Sequence, residues 1–229
     1  NYIYRVGGSL YNAYMREYAG VDPNTGKALY YTDVTDADGN VSKVTTDVFG
    51  DAKQYDLGSV LPKLYGGFGT SLRFYGFDLS AQFSFQLGGK YYDGSYQSLM
   101  HTQASAGSAW HTDALKAWTP DNRNTDVPRL DGDTSVGQSA VDRFLVSSNF
   151  LSVNNVTLGY TFPSKWMSKI KIAGLRVYVT GDNLGVVTAR KGIDPRFSMG
   201  LGSYTSGSGL NTGAYAAMRN ITGGVTLTF

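Results

Sequence analysis

Few residues in this sequence have the type and spacing needed for bond-making chemistry. The only histidines, His101 and His111, could bind a metal or carry a proton. They stand ten residues apart, without the helical spacing of a ligand pair and without a carboxylate at ligand spacing beside them. Asp33, Asp36 and Asp38 precede Gly39 and resemble the start of an acidic calcium loop. The one-three-five ligand spacing fails at Val34, and no closing glutamate follows, so a β-turn is expected there instead. Asn155-Val156-Thr157 and Asn220-Ile221-Thr222 match a glycosylation acceptor pattern. Both fall inside strand patterns and read as chance matches. There is no cysteine, which excludes disulfides, thiolate metal sites and a cysteine nucleophile. No catalytic constellation, metal site or cofactor site is expected.

The stretch 88–142 offers binding chemistry instead. It carries Tyr91, Tyr92, Tyr96, Trp110, Trp118 and Arg123. Flat aromatic faces stack on sugar rings, and polar neighbours bind hydroxyls. The same surface could dock a partner protein. Trp110, Ala114 and Trp118 are spaced by four, so 108–118 reads as a short helix. Such a stripe more often packs locally than holds a ligand.

The elements that would position these residues are strands. Leu79, Ala81, Phe83, Phe85 and Leu87 alternate with Ser80, Gln82, Ser84 and Gln86. Strict period-two alternation marks a strand between an apolar and a polar environment. Residues 67–74 alternate likewise, and 75–77 are short enough to close a hairpin. Val156, Leu158, Tyr160 and Phe162 share a parity that Leu151 and Val153 do not, so a bulge is expected near Asn154. Pro163 ends that strand. Lys165, Lys169 and Lys171 lead to Leu175, Val177 and Val179, and Ile221 to Phe229 alternate to the last residue. A noisier strand is expected near 10–18. Phe144, Val146 and Ser148 add a short alternating run.

This gives about six spanning strands of roughly ten residues each. Connections alternate in length: 75–77 and 163–174 are short, while 19–64, 88–142 and 185–213 are long. Short turns on one side and long loops on the other mark an outer-membrane barrel. The polar faces carry mainly Ser, Thr, Gln, Asn and Gly, where a solvated face would carry Lys and Glu. Arg73, Arg176 and Asp182 are the charges on those faces. Ser80, Gln82, Ser84, Gln86, Arg73 and Arg176 are therefore candidate lumen-lining residues. Phe74, Tyr75, Tyr160 and Phe162 lie near strand ends, where an aromatic girdle belongs.

Composition agrees. Charged residues make up 17% of the chain, with 20 Lys plus Arg against 18 Asp plus Glu. That is below the roughly 25% of soluble domains. The net charge of +2 gives no basic footprint for nucleic acid. No apolar run is long enough for a membrane helix. The fold class expected is all-β, an antiparallel transmembrane β-barrel segment. Membrane barrels begin at about eight strands, so further strands are expected upstream of Asn1. A passive porin or adhesin barrel and a soluble carbohydrate-binding β-domain are the alternatives, with an enzyme behind them.

Five segments resemble one family in order. They are PKLYGGFGTSLRFYGFDLSAQFSFQLGGKYYD (62–93), YAGVDPNTGKALYY (18–31), FLSVNNVTLGYTFP (150–163), LRVYVTGDNL (175–184) and NITGGVTLTF (220–229). Together they are similar to the late barrel of SusC-like TonB-dependent transporters. The resemblance implies a barrel of about 22 strands, with 1–229 as its C-terminal portion. It implies a plug domain and a TonB-contacting motif outside this sequence. It also implies a SusD-like surface lipoprotein as a lid, import of oligosaccharides most often and of peptides in some cases, and residence among the lipids of the bacterial outer membrane. A last strand ending in an aromatic is read by the assembly machinery in such proteins, which gives Val225, Leu227 and Phe229 the role of an assembly signal.

Overall fold

A computed structural model describes residues 2–100, 109–132, 141–189, 194–197 and 217–229. Among them the strands run, in chain order, β1 (Tyr2–Ile3), β2 (Asn12–Arg16), β3 (Tyr18–Val21), β4 (Ala28–Thr35), β5 (Val41–Thr46), β6 (Gln54–Ser59), β7 (Leu64–Phe74), β8 (Phe77–Leu87), β9 (Lys90–Tyr92), β10 (Leu145–Ser147), β11 (Phe150–Thr161), β12 (Gly174–Thr188) and β13 (Asn220–Thr228). Two short helices, α1 (Gly94–Leu99) and α2 (Ser164–Met167), accompany them. All the strand ladders are antiparallel.

The described residues form two compact units. The first, here the body, takes residues from 2–61 and 90–147. It holds the sheets β1-β2-β6, β3-β4-β5 and β9-β10. Its core is apolar, with Met15, Tyr30, Val60, Tyr92, Val141 and Phe144 all buried. Tyr30 packs edge-on to Phe49 at 5.2 Å and to Tyr18 at 5.9 Å.

The second unit, here the wall, takes residues from 62–89, 148–197 and 217–229. It is one five-stranded sheet in the order β13-β12-β11-β8-β7. β7 and β8 join through Tyr75 and Gly76, whose φ angles of +46° and +86° match a type I′ turn. Only glycine fits the second position, because a Cβ there would lie 2.7 Å from the Thr161 carbonyl. The expected bulge is present: β11 loses register with both neighbours between Val153 and Asn155.

Several expectations are corrected. The strand near 10–18 is shorter than anticipated and pairs with β1 and β6 in the body. Arg16 explains its broken pattern, since its Nε donates to the Ala52 carbonyl and its guanidinium lies over Phe49. The wall thus has five strands, and it is an open sheet without closure into a barrel among the described residues. The long connections 19–64 and 88–142 carry strands of their own, among them β4, β5, β6 and β9. The run around Val146 pairs with β9 in the body, and β11 begins afresh at Phe150. The helix expected over 108–118 is a 3₁₀ turn at Thr112–Lys116, and residue 108 lies outside the described residues.

Candidate functional site

The wall places side chains of opposite character on its two faces. On one face, Leu72 pairs with Leu79, then Leu158, then Val179 across four strands. The neighbouring row runs Phe74, Phe77, Tyr160, Val177 and Val225. These side chains are not buried by the chain. Leu72 is 59% exposed, Leu158 47%, Val179 44% and Val225 64%. An apolar face of this extent needs a covering of lipid or protein.

The opposite face is built in polar rows. Ser71, Ser80, Thr157, Thr180 and Thr222 align hydroxyls across all five strands. Thr157 and Thr180 hydroxyls hydrogen-bond at 2.9 Å. The next row is Gly69, Gln82, Asn155, Asp182 and Asn220, in which Asn155 Nδ2 donates to Asp182 at 2.7 Å. The expected lumen residues Arg73, Ser80, Gln82, Ser84, Gln86 and Arg176 all lie on this one face. Ser84 donates to Asn154 at the bulge, and Gln86 Nε2 donates to the Ser148 hydroxyl.

Arg176 is not a lone cation. Its Nε donates to Asp78 Oδ1 at 3.0 Å and its Nη2 donates to Oδ2, a bidentate pair spanning β11. Gly159 on β11 makes this possible. A Cβ there would sit 2.5 Å from Arg176 Nη2 and 2.6 Å from Asp78 Oδ1. The row Arg73, Asp78, Gly159, Tyr178, Gly224 alternates large with small in the same way, and the Tyr178 ring fills the space over Gly224. Arg176 also lies 4.9 Å from that ring. Beside the row is a cleft of about 500 Å³ lined by Arg73, Tyr75, Asp78, Thr161 and Arg176, among others. Sequence reasoning missed Asp78, which precedes the clean alternation of β8. The available signal was a glycine at polar parity opposite a charged residue.

A second polar cluster sits at the bulge. Arg196 chelates Asp194 and donates to the Ser152 hydroxyl at 2.9 Å. Ser152 is fully buried, so this guanidinium fixes residues 194–197 to the polar face. Nothing in the sequence pattern flagged Arg196.

The body holds the residues expected to meet ligand. Tyr91 and Tyr92 are 0% and 5% exposed, so they serve its core and offer no stacking face. Tyr96 packs against that core, and its hydroxyl donates to Asp113 at 3.0 Å. The Lys116 ammonium bonded to Asp113 holds its carboxyl below the usual range. Trp110 is partly buried against the core. Trp118 covers Gly26, and its indole N–H donates to the Pro23 carbonyl. Arg123 is exposed and donates to the Pro120 carbonyl. Beside it, Gly20, Lys116, Asn122, Asn124, Thr125 and Asp126 line a cleft of about 490 Å³. His111 caps the 3₁₀ turn, its Nδ1 accepting from the Asp113 N–H; His101 lies outside the described residues. Asp36 accepts from the N–H groups of Asp38 and Asn40 and so closes the β4–β5 turn.

Val225, Leu227 and Phe229 lie on or just past β13, an edge strand of the wall, and all three are exposed.

No family model matches the chain. It is 28% identical, over 99% of its length, to TonB-dependent receptor P3 of Formosa agariphila, of which it covers 23%. It is 36% identical, over 28% of its length, to TonB-dependent receptor SusC of Bacteroides thetaiotaomicron, of which it covers 7%. In the structure of the RagAB peptide transporter, 95% of the chain matches 23% of one chain, with a TM-score of 0.73 and 31% identity. The chain thus spans less than a quarter of the length of these relatives. In sequence and fold the chain resembles a segment of SusC/RagA-like TonB-dependent receptors. That likeness implies the bacterial outer membrane.

Proposed function

We propose that this chain contributes the last strands of the barrel wall and the outer loops to an active nutrient importer of the bacterial outer membrane. The observation that carries this reading is the two-faced wall. Its apolar face is exposed across five strands, and its opposite face is lined with hydroxyls, amides and one ion pair. Lipid satisfies the first face and a wet lumen the second. The open edges β7 and β13 pair with further strands of the same barrel, because unpaired backbone groups in lipid cost several kcal/mol each. β13, with Val225, Leu227 and Phe229, is the strand that the assembly machinery reads.

In this reading Arg73, Ser80, Gln82, Ser84, Gln86 and Arg176 line the lumen. The exposed surface of the body, including Arg123, meets substrate or a SusD-like lipoprotein lid. TonB supplies energy through a plug domain. Peptide is the substrate class favoured here. The RagAB likeness supports it, and burial of Tyr91 and Tyr92 removes two of the rings expected to stack on an oligosaccharide.

The test is the intact mass of the detergent-extracted protein from outer membranes, with sequencing of every co-purifying polypeptide. A barrel component several times larger than 24.8 kDa, carrying a plug, is expected. A stable detergent-free monomer of 24.8 kDa would overturn the proposal in favour of a soluble β-domain. Uptake of labelled peptides against labelled oligosaccharides by intact cells then decides the substrate class.

A further inference from the structure

The turn that joins β11 to β12, residues 163–173, has a composition unlike the rest of the wall. It carries Lys165, Lys169 and Lys171, and no acidic residue occurs anywhere from 143 to 181. Among the described residues none of these lysines forms an ion pair. Beside them Trp166 and Ile170 are 55% and 59% exposed. Residues four apart in a helical turn share a face, so the indole and the isoleucine form one apolar patch with cations around it.

The exposure is built in, not a product of slack. Met167 is buried and anchors the turn. The Trp166 N–H donates to the Pro163 carbonyl at 2.9 Å. Lys171 adopts a left-handed φ of +58°, so that its N–H donates to the Ser168 carbonyl and the Ile172 N–H to the Met167 carbonyl. Those two bonds are the Schellman closure of a helix end. Ala173 then donates to the Thr228 carbonyl, tying the turn to β13. The patch continues an aromatic series at the same end of the wall. Phe162 lies 4.9 Å from Tyr160, Tyr160 lies 4.6 Å from Phe77, and Phe74 lies 4.3 Å from Tyr75.

We propose that this turn is an interfacial anchor for anionic phospholipid in the leaflet that meets the short turns of the barrel. Trp166 and Ile170 enter the boundary between headgroups and acyl chains, where an amphipathic indole is best satisfied. Lys165, Lys169 and Lys171 extend from that depth and pair with lipid phosphates. A soluble acidic protein would complement the lysines, but it would leave the continuity of Trp166 with the lipid-facing aromatic series without a reason. The inference rests on the barrel reading above.

The test uses the full transporter reconstituted in nanodiscs, with a fluorophore at Ser168→Cys; this chain has no other cysteine. A nitroxide quencher near the headgroup is carried either by phosphatidylglycerol or by phosphatidylethanolamine, at equal mole fraction. Phosphatidylglycerol is expected to quench several-fold more strongly. The attraction of the three lysines to an anionic surface supplies that preference, so neutralising all three as Lys→Gln brings the ratio close to one. Trp166→Ser with Ile170→Ser reduces quenching by both lipids. Equal quenching by the two lipids in the native protein overturns the proposal. A label that neither lipid quenches, in protein that has inserted, also overturns it and leaves the patch to a soluble acidic partner. Failure of the protein to insert at all would instead remove the barrel reading beneath it.

Discussion

At the scale of single residues, the polar face depends on what is missing from Gly159. The Arg176–Asp78 pair crosses directly over that glycine, and the contacting atoms are the ends of flexible side chains. Gly159→Ala should therefore push the pair aside at modest cost. Gly159→Leu should destabilise the wall by about 1–3 kcal/mol through overpacking. Asp78→Ala would make Gly159→Leu less harmful, and thermal midpoints of the four proteins in one detergent measure that coupling. Little of this was legible beforehand. Arg176 stood out as a charge on a neutral face, but its partner Asp78 lies 98 residues away and no local pattern links the two. Arg196 and Ser152 were invisible for the same reason. Tyr91 and Tyr92 misled in the opposite way, because a tyrosine in a long connection reads as surface until that connection is known to have a core.

Among elements, the β7–β8 hairpin shows two demands meeting at one position. Its turn places Tyr75 at φ +46°, where Asn or Gly is the ordinary choice, yet the side chain is aromatic and 84% exposed. Backbone preference has yielded to an aromatic at the end of the wall. Tyr75→Asn should accordingly raise the unfolding midpoint in detergent micelles, by a gain of about 1 kcal/mol from relief of the left-handed backbone. The same variant should lose stability once in a bilayer, if the ring anchors there. Comparing the midpoints in micelle and bilayer checks both halves. The wall strands could be read from the sequence because each of them separates two environments. β4 and β5 could not, since Thr32–Val34 and Val41–Thr46 mix exposed Val, Thr and Lys on both sides of a hairpin. The strand near 10–18 was legible as a strand but not as a member of the body, because pairing partners are not encoded in alternation.

At the scale of the whole molecule, acid should act on the body through its paired carboxylates. In the body, hydrogen bonds from Lys53 to Asp33, from Lys27 to Asp47 and from Lys116 to Asp113 hold these carboxyls below their ordinary value of 3.8. The unfolded chain therefore binds protons before the folded body does. Stability present above that value is lost as pH falls through the lowered folded values. Asp142 runs the other way. Burial raises its pKa, so its contribution is present at low pH and is lost as pH rises through the folded value. With more groups lowered than raised, the body should loosen as the pH drops below about 4, in the range where paired carboxylates protonate. Trp110 and Trp118 belong to the body and Trp166 to the wall. Emission from a Trp166→Phe variant of this chain should change over that acid range. A flat response there would show that the lysine pairs contribute nothing to folding.

The bulge at Asn154 has one more consequence, for how this strand tolerates length change. Counted along β11, Leu151 and Val153 are odd while Val156 and Leu158 are even, yet all four reach the apolar face because Asn154 is an extra residue opposite β8. The strand therefore contains a slot where a frame error has already been absorbed. Removing Asn154 should restore plain alternation and leave every outward side chain outward, at the cost of its bond to Ser84. Removing Thr157, three positions later, has no such slot to fall into and should turn the hydrophobic residues on one side of the gap inward. Membrane insertion of the two single-residue deletions would tell them apart. The bulge is thus a form of punctuation: it marks the point on β11 where the chain can gain or lose a letter without changing the sense of the strand.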